Sequence, residues 1–232
     1  MIYIIIPTFN EEEYLSKLLD CIKNQTYKNY EVIVADANSK DKTRQIARKY
    51  GCKIVKGGLP AVGRNNGANA ARGNLLLFLD ADVHLEQNFL ENALREFRER
   101  NLDVAGCLIA PIGNNLIDKF FFWIFNLWTT STQFFYPNAS GACIFAKRWV
   151  HEKINGFDES IKLSEDMDYV KRCGKFAKFR ILKKVKFYVA MRRFEKEGRI
   201  NVVFKLLLSA LHRLIFGEIR SDVFKYKLTY KK

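Results

Sequence analysis

The chain has 232 residues, of which 48% are hydrophobic and 14% aromatic, so it can bury a proper core and is not an intrinsically disordered chain. Its five cysteines are scattered without a C-x-x-C pair, which argues against a disulfide framework or a zinc site and favours reduced thiols in a cytosolic compartment. The net charge of +14 is concentrated in residues 171–232, which hold 19 Lys and Arg against 4 Asp and Glu. Such a basic segment predicts an anionic partner, and the alternative is a solvated basic face.

The first part of the chain alternates strand-like and helix-like segments. Residues 2–6 form a β-rich run that predicts the first strand and does not resemble a signal peptide. Apolar residues at helical spacing follow, and Asn10 with Glu13 resembles a capping box at the start of that helix. Residues 31–36 predict the second strand.

The same alternation continues for another forty residues. Ser39 is expected to cap a second helix that ends before Gly51. A short strand at residues 53–55 and a helix at about residues 62–72 come next, and the apolar run at residues 74–79 predicts the fourth strand. Strands and helices at this spacing predict a mainly parallel sheet, whose ligand site lies beyond the carboxyl ends of the strands.

Polar residues follow three of these predicted strands. They are Thr8 and Asn10 after the first, Asp36 after the second, and Asp80 and Asp82 after the fourth. The last two emerge together from the apolar strand, and hard cations such as Mg²⁺ or Mn²⁺ prefer carboxylate and phosphate oxygens. The pattern D-x-D alone also fits surface or capping aspartates, but its place after a strand favours a metal site.

Seven short segments together give the chain a recognisable order of motifs. They are P-T-F-N-E (7–11), V-A-D-A-N-S-K-D (34–41), G-R-N-N-G-A-N-A-A-R-G (63–73), L-D-A-D (79–82), S-G-A-C (140–143), G-F-D-E (156–159) and S-E-D-M-D (164–168). In sequence and in order they resemble the family 2 glycosyltransferases. The resemblance covers roughly residues 2–170.

The resemblance implies an α/β fold of the Rossmann-like nucleotide-diphospho-sugar transferase type, called GT-A, with a mainly parallel central sheet. The catalytic domain would occupy residues 1–190, and a basic, amphipathic helical extension would occupy residues 191–232. The implied activity is that of an inverting, metal-dependent hexosyltransferase, which takes a sugar from a UDP or GDP donor.

Residue roles follow from the resemblance, position by position. The implied contacts to the donor are made by Thr8, Asn10 and Glu11 in the nucleotide pocket, Asp36 at the base or ribose, Arg64 at the nucleotide or diphosphate, and Asp80 at the ribose or donor sugar. In many relatives the residue after Asp36 is also acidic, whereas here it is Ala37, which leaves the base of the nucleotide open.

Two further aspartates would carry the chemistry. Asp82 would bind Mg²⁺ or Mn²⁺, and Asp166 would be the general base that takes the proton of the acceptor hydroxyl. Asp168 could exchange roles with Asp166, and both could instead be acids that favour the start of a helix. Where processive relatives carry Q-x-x-R-W, this chain has Arg192 and Arg193, which argues against a polymer-synthesising enzyme. These arginines could meet phosphates or be solvated.

Three competing interpretations remain open. A sugar-phosphate nucleotidyltransferase would need an early G-x-G-T-R-type loop, and P-T-F-N-E stands in its place. A non-catalytic relative is disfavoured by the intact aspartates. A nucleic-acid-binding protein would use the basic segment, with bases stacked on Phe176, Phe179, Phe187 and Tyr188.

Two aromatic or aliphatic segments outside the motifs bear on location. Residues 116–136 and 200–217 lack the run of about 20 apolar residues that spans a bilayer. Residues 200–217 would form an amphipathic helix that lies either in a membrane interface or on the core of the catalytic domain. The surrounding basic residues favour the membrane. We therefore expect a cytoplasmic protein, peripheral on the inner face of the cell membrane, with a lipid-linked or glycan acceptor and no nucleic acid partner.

Overall fold

The computed structural model describes residues 1–221, so the last eleven residues of the predicted extension lie outside the described part of the chain. The strands are β1 (Ile2–Thr8), β2 (Tyr30–Asp36), β3 (Lys53–Lys56), β4 (Leu75–Leu79), β5 (Val83–Leu85), β6 (Val104–Pro111), β7 (Cys143–Lys147) and β8 (Phe179–Val189). The helices are α1 (Glu12–Lys23), α2 (Thr43–Lys49), α3 (Pro60–Ala70), α4 (Phe89–Glu99), α5 (Leu116–Thr132), α6 (Arg148–Lys153), α7 (Glu165–Cys173), α8 (Arg192–Glu197) and α9 (Arg199–Phe216).

The eight strands form one sheet in the order β3-β2-β1-β4-β7-β6-β8-β5. The pairs β1–β2, β1–β4 and β2–β3 are parallel, as the alternation of strands and helices predicts, and β6–β8 is parallel as well. The strand β7 runs antiparallel to both of its neighbours, β4 and β6, and β5 runs antiparallel to β8. The sheet is therefore mixed, and the strands of its larger parallel part, β1 to β4, come from the amino-terminal part of the chain.

The core covers both faces of the sheet because the first strand is apolar on both sides. Ile4 and Ile6 of β1 pack into one cluster, and Ile5 packs into the cluster on the opposite face. In α1 the buried residues are Leu15, Leu18, Leu19 and Ile22, which is the spacing that turns one stripe of a helix towards a core.

The predicted helix caps at Asn10 and Ser39 are both wrong, because each side chain makes a hydrogen bond to the loop that contains the other. The N-cap residues are Glu11 for α1 and Lys42 for α2, and neither makes a side-chain cap. Asn10 has a positive φ, and its side-chain oxygen Oδ1 accepts a hydrogen bond from the backbone N–H of Lys40 at 2.8 Å. The hydroxyl of Ser39 accepts the backbone N–H of Asn10 at 2.9 Å. These bonds join the loops that follow β1 and β2.

Two of the aromatic residues that a nucleic-acid interface would need lie inside the fold. Phe179 and Phe187 of β8 are buried, with 1% and 0% of their surface exposed, so they cannot stack on bases. That part of the nucleic-acid interpretation is wrong. Within residues 1–221, neither α5, α9 nor another helix combines the length and apolar character that crossing a bilayer requires.

Candidate functional site

A cavity of about 400 Å³ opens at the carboxyl edge of the parallel strands. Six of the sequence-predicted site residues line it: Thr8, Glu11, Arg64, Asp80, Asp82 and Asp166. They come from the end of β1, from the start of α1, from α3, from the turn after β4 and from the first turn of α7. Parallel strands end at the same edge of a sheet, which is why residues so distant in sequence meet here.

The acidic side of the cavity is held by an arginine from the carboxyl-terminal region. The Arg192 guanidinium donates two hydrogen bonds to the Glu11 carboxylate, each of 2.8 Å, and its Nε lies 3.1 Å from Asp82 Oδ2. The same guanidinium lies over the ring of Tyr14, 4.7 Å from its centroid. Arg192 therefore compensates two carboxylates and stacks on an aromatic ring.

This compensation is incomplete at Asp82. Burial raises the pKa of Asp82 to about 6, with the negative charges of Asp80 and Glu11 adding to the rise and Arg192 opposing it. Burial also raises the pKa of Glu11, again against the effect of Arg192. The cluster thus has a surplus of negative charge that a further cation would relieve.

On the other side of the cavity, Arg64 joins the turn after β4 to the start of α7. Its guanidinium donates to Glu165 Oε1 at 2.6 Å and to Asp80 Oδ1 at 2.8 Å, and it is 3% exposed. It also lies 5.3 Å from the centroid of the Phe157 ring. This single buried side chain therefore fixes the separation between the two acidic elements of the site.

Asp166 is oriented by the backbone around it. Its Oδ2 accepts the N–H of Gly141 at 2.5 Å, and its Oδ1 accepts the N–H of Met167 at 2.8 Å. A Cβ at position 141 would lie 2.6 Å from Asp166, so the approach depends on glycine there. Burial raises the pKa of Asp166, with Arg64 and the two backbone N–H groups opposing the rise. A carboxylate with a raised pKa is suited to accept a proton.

Asp168 and two of the predicted nucleotide contacts lie elsewhere. Asp168 is buried and paired with Arg172 Nε at 2.7 Å, one helical turn along α7, and it does not line the cavity. Asp36 lies behind Thr8 and accepts the backbone N–H of Ser39 at 3.0 Å. Asn10 is engaged by the loop that follows β2 and is likewise outside the lining.

Sequence reasoning left the cavity's apolar wall unassigned and gave Arg192 no firm role. The wall is formed by Phe121, Phe122 and Phe125 of α5, and the ring of Phe194 of α8 packs at a tilt against Phe121 and Phe122. The S-G-A-C motif was the available signal for the loop that holds Asp166. Nothing in the motifs indicates that Arg192 reaches Glu11 across 181 positions of sequence.

The residues at Asp82 fit a divalent cation that takes most of its ligands from a diphosphate and water. Among the described residues, no three His, Cys, Asp or Glu side chains are grouped to hold a metal ion by themselves. Asp82 supplies one carboxylate in a region of surplus negative charge, and a cation there would compete with the Arg192 guanidinium, whose Nε lies 3.1 Å from Asp82 Oδ2. Mg²⁺ and Mn²⁺ are commonly held in this way by one or two carboxylates and substrate phosphates.

Comparison with sequence families gives one match that covers most of the chain. The model of the glycosyl transferase family 2 matches residues 3–156. The glycosyltransferase GlyA of Streptococcus pneumoniae is 28% identical over 210 residues, which are 86% of this chain and 27% of GlyA. A GalNAc(5)-diNAcBac-PP-undecaprenol beta-1,3-glucosyltransferase of Campylobacter jejuni is 34% identical over 121 residues, 48% of this chain and 39% of that enzyme. The chain thus spans less than half the length of these curated relatives.

Solved structures that share the fold include a mannosyltransferase and TarS. The mannosyltransferase PcManGT of Pyrobaculum calidifontis, in complex with GDP-Man and Mn²⁺, matches with a TM-score of 0.71 and 20% identity over 90% of this chain and 60% of that chain. TarS 1–349 of Staphylococcus aureus, in complex with UDP-GlcNAc, matches with a TM-score of 0.67 and 21% identity over 82% of this chain and 58% of that chain. These matches confirm the predicted GT-A fold.

Proposed function

The chain belongs to glycosyltransferase family 2, and from that membership we propose that it transfers a hexose from a nucleotide-diphosphate donor to an acceptor hydroxyl or phosphate. The observation that carries the proposal is the single cavity that brings Asp80 and Asp82 together with Asp166. A donor with its diphosphate near the first pair would present its sugar towards the third carboxylate. We propose residues 1–190 as the catalytic domain and residues 191–232 as an extension.

The acceptor would be activated by Asp166. Attack from the face opposite the leaving group requires a base that takes the hydroxyl proton as the new bond forms, which gives inversion. The backbone N–H groups of Gly141 and Met167 hold this carboxylate in place, and Arg64 holds the neighbouring Glu165. Asp166 can therefore face the acceptor without reorientation, which favours a single-displacement reaction.

The donor would be held by the residues at the strand ends. Thr8, Glu11 and Asp80 line the cavity where the nucleotide would enter, and Asp36 with Asn10 would support them by fixing the loops behind. Arg64 would act on the donor through Asp80. A divalent cation at Asp82, Mg²⁺ or Mn²⁺, would neutralise the charge that develops on the departing nucleoside diphosphate.

The acceptor is proposed to be lipid-linked or membrane-proximal, or a glycan at that surface. The Campylobacter jejuni relative is named as a glucosyltransferase that acts on an undecaprenol-linked saccharide. The apolar wall of α5 beside the cavity is suited to the lipid part of such an acceptor. We propose a cytoplasmic enzyme that is peripheral on the inner face of the cell membrane, with no nucleic acid partner.

The test is incubation with a panel of UDP- and GDP-sugars and Mn²⁺ or Mg²⁺, following release of the nucleoside diphosphate. The variant Asp166→Asn keeps the shape of the side chain but cannot accept a proton, so it should retain donor binding and lose transfer. Asp168→Asn is the matched control and should keep most of the activity. Equal activity of Asp166→Asn and the wild type would overturn the assignment of the base.

A further inference from the structure

Helix α5 buries polar side chains beside Phe122 and leaves much of its apolar surface outward. Asp118 and Thr129 are buried, and Asn126 exchanges hydrogen bonds with the backbone of Ile109 at 3.0 and 2.8 Å. Trp123, by contrast, is 58% exposed, and Phe120 is 60% exposed. A helix that packs on a core in water normally shows the opposite arrangement. The exposed side of α5 is therefore suited to an apolar environment.

Helix α9 shows the same inversion. Its buried residues are Val202, Ser209 and Arg213, of which two are polar. Ser209 lies 3.4 Å from the hydroxyl of Ser164, and Arg213 pairs with Glu218 at 2.7 Å. The apolar side chains point the other way: the outward residues include Phe204, Leu207, Leu211 and Leu214, the last of them 80% exposed. The sequence left open whether this apolar face meets the core, and the structure leaves it exposed.

The two helices flank the same cavity and are joined at their first turns. Arg199 of α9 donates two hydrogen bonds, of 2.8 and 2.9 Å, to the buried carboxylate of Asp118 in α5. Leu206 of α9 and Phe122 of α5 both line the cavity. An environment that covers the outward sides of both helices would therefore lie beside the entrance to the candidate active site.

The charge of the chain selects among the possible occupants. On the helices themselves Arg199, Lys205 and Arg213 pair with Asp118, Glu197 and Glu218, so the attraction to an anionic surface comes from the basic excess of the whole chain. A second copy of a chain with a net charge of +14 would be repelled, whereas an anionic lipid surface would be attracted. Exposed aromatic and leucine side chains with nearby cations are the pattern of helices that lie in a membrane interface.

We propose that the outward sides of α5 and α9 form one docking face, here called the α5/α9 face, which inserts into the interfacial layer of an anionic bilayer. Attachment would then depend on apolar insertion as well as on the basic residues of the chain, and it would persist at high salt. This inference rests on the proposed membrane-proximal acceptor, because it places the cavity entrance at the lipid headgroups.

Tryptophan fluorescence provides a direct test, since the chain has three tryptophans and two of them are in α5. In the variant Trp149→Phe, the emission comes from Trp123 and Trp128 alone. Mixing this variant with vesicles of brominated phosphatidylglycerol and phosphatidylcholine should quench and blue-shift that emission, at low and at high salt. The double variant Trp123→Phe/Trp128→Phe retains Trp149 of α6, whose emission should not be quenched.

A second pair of variants measures how much the α5/α9 face contributes. Trp123→Gln combined with Leu207→Gln should weaken vesicle partitioning by about tenfold or more, because two inserted apolar side chains are lost. Trp149→Gln is the matched control, since Trp149 is 44% exposed but lies outside the face, and it should partition like the wild type. Circular dichroism of each variant checks that it is folded.

Three outcomes would overturn the inference: no quenching of the α5 tryptophans, quenching that disappears at high salt, or equal partitioning of the two glutamine variants. Dimers in sedimentation without vesicle binding would assign the face to a second copy instead. Donor binding is measured separately, without vesicles, by titration with UDP and GDP in Mn²⁺. If the wild-type protein binds neither UDP nor GDP, the proposed function is refuted, whereas the inference about vesicle binding is unaffected.

Discussion

Replacing Arg64 with alanine should remove a large part of the stability of the protein. Its guanidinium is 3% exposed and compensates two carboxylates, those of Glu165 and Asp80. Breaking a buried pair by removing one partner costs about 3–5 kcal/mol, because the remaining charge stays buried without compensation. The Asp80 side chain is 38% exposed and can be solvated, so the penalty falls mainly on Glu165, which is 14% exposed. We expect a loss of about 3 kcal/mol in the free energy of unfolding at neutral pH.

The loss should depend on pH in a defined direction. Burial raises the pKa of both Glu165 and Asp166, and Arg64 opposes the rise, so its removal raises both values further. A carboxyl group whose pKa is higher in the folded than in the unfolded state favours folding at low pH and loses that contribution as the pH rises through the folded value. The difference in stability between Arg64→Ala and the wild type should therefore be small at about pH 4 and grow towards neutral pH.

The assay is urea unfolding followed by circular dichroism at acidic and neutral pH. Lys184→Ala is the control, since Lys184 pairs with Glu99 on the surface, where both side chains are at least half exposed, and a loss below about 1 kcal/mol is expected. Should the alanine variant fail to fold, Arg64→Lys keeps the charge but not the planar fork and should show a smaller loss. A loss under about 1 kcal/mol for Arg64→Ala at neutral pH, or one independent of pH, would refute the reasoning.

Three further changes test the geometry of the site. Asp82→Ala should lower turnover by about 10²–10³ with little change in melting temperature, and wild-type turnover of this variant in the presence of a chelator would exclude the metal role. Arg192→Ala should tighten Mn²⁺ binding by up to about fivefold, because the variant lacks the guanidinium that competes with the metal ion for Asp82. Binding is measured by electron paramagnetic resonance of free Mn²⁺, and weaker binding would contradict this competition. Gly141→Ala should displace Asp166 and reduce transfer by about 10², while UDP or GDP binding stays unchanged; unchanged transfer would show that the contact tolerates a Cβ.

The sequence predicted the parallel part of the fold well because that part is governed by local patterns. Strands β1, β2 and β4 are apolar runs, and the helices between them carry their core residues at helical spacing. The caps could not be predicted in the same way. Asn10 and Ser39 are both of residue types that cap helices, but here each is used by a loop about thirty positions away. A local rule has no access to such a partner.

Most of the candidate site was predictable from the motifs, whereas the residue that arrives from the carboxyl-terminal region was not. Six of the eight predicted residues line one cavity: Thr8, Asp80 and Asp82 lie at strand ends, and Glu11, Arg64 and Asp166 lie in or beside helices, where the family resemblance implied them. Arg192 belongs to no strand end, and its contact with Glu11 depends on how α8 lies across the molecule. The outward apolar faces of α5 and α9 were equally beyond prediction, because periodicity identifies the apolar side of a helix but not the direction in which that side points.

The width of the cavity depends on the register with which the antiparallel strand β7 pairs with β4. It aligns Cys143 with Leu79, and the backbone N–H of Asp80 donates to the carbonyl of Ala142 at 3.2 Å. A slip of one residue would move the loop that contacts Asp166 by about 3.4 Å and turn every side chain of β7 to the opposite face. The distance between the donor side and the acceptor side is therefore set by backbone pairing. Substitutions within the cavity can change its lining, but a change in its span requires a change in the sheet.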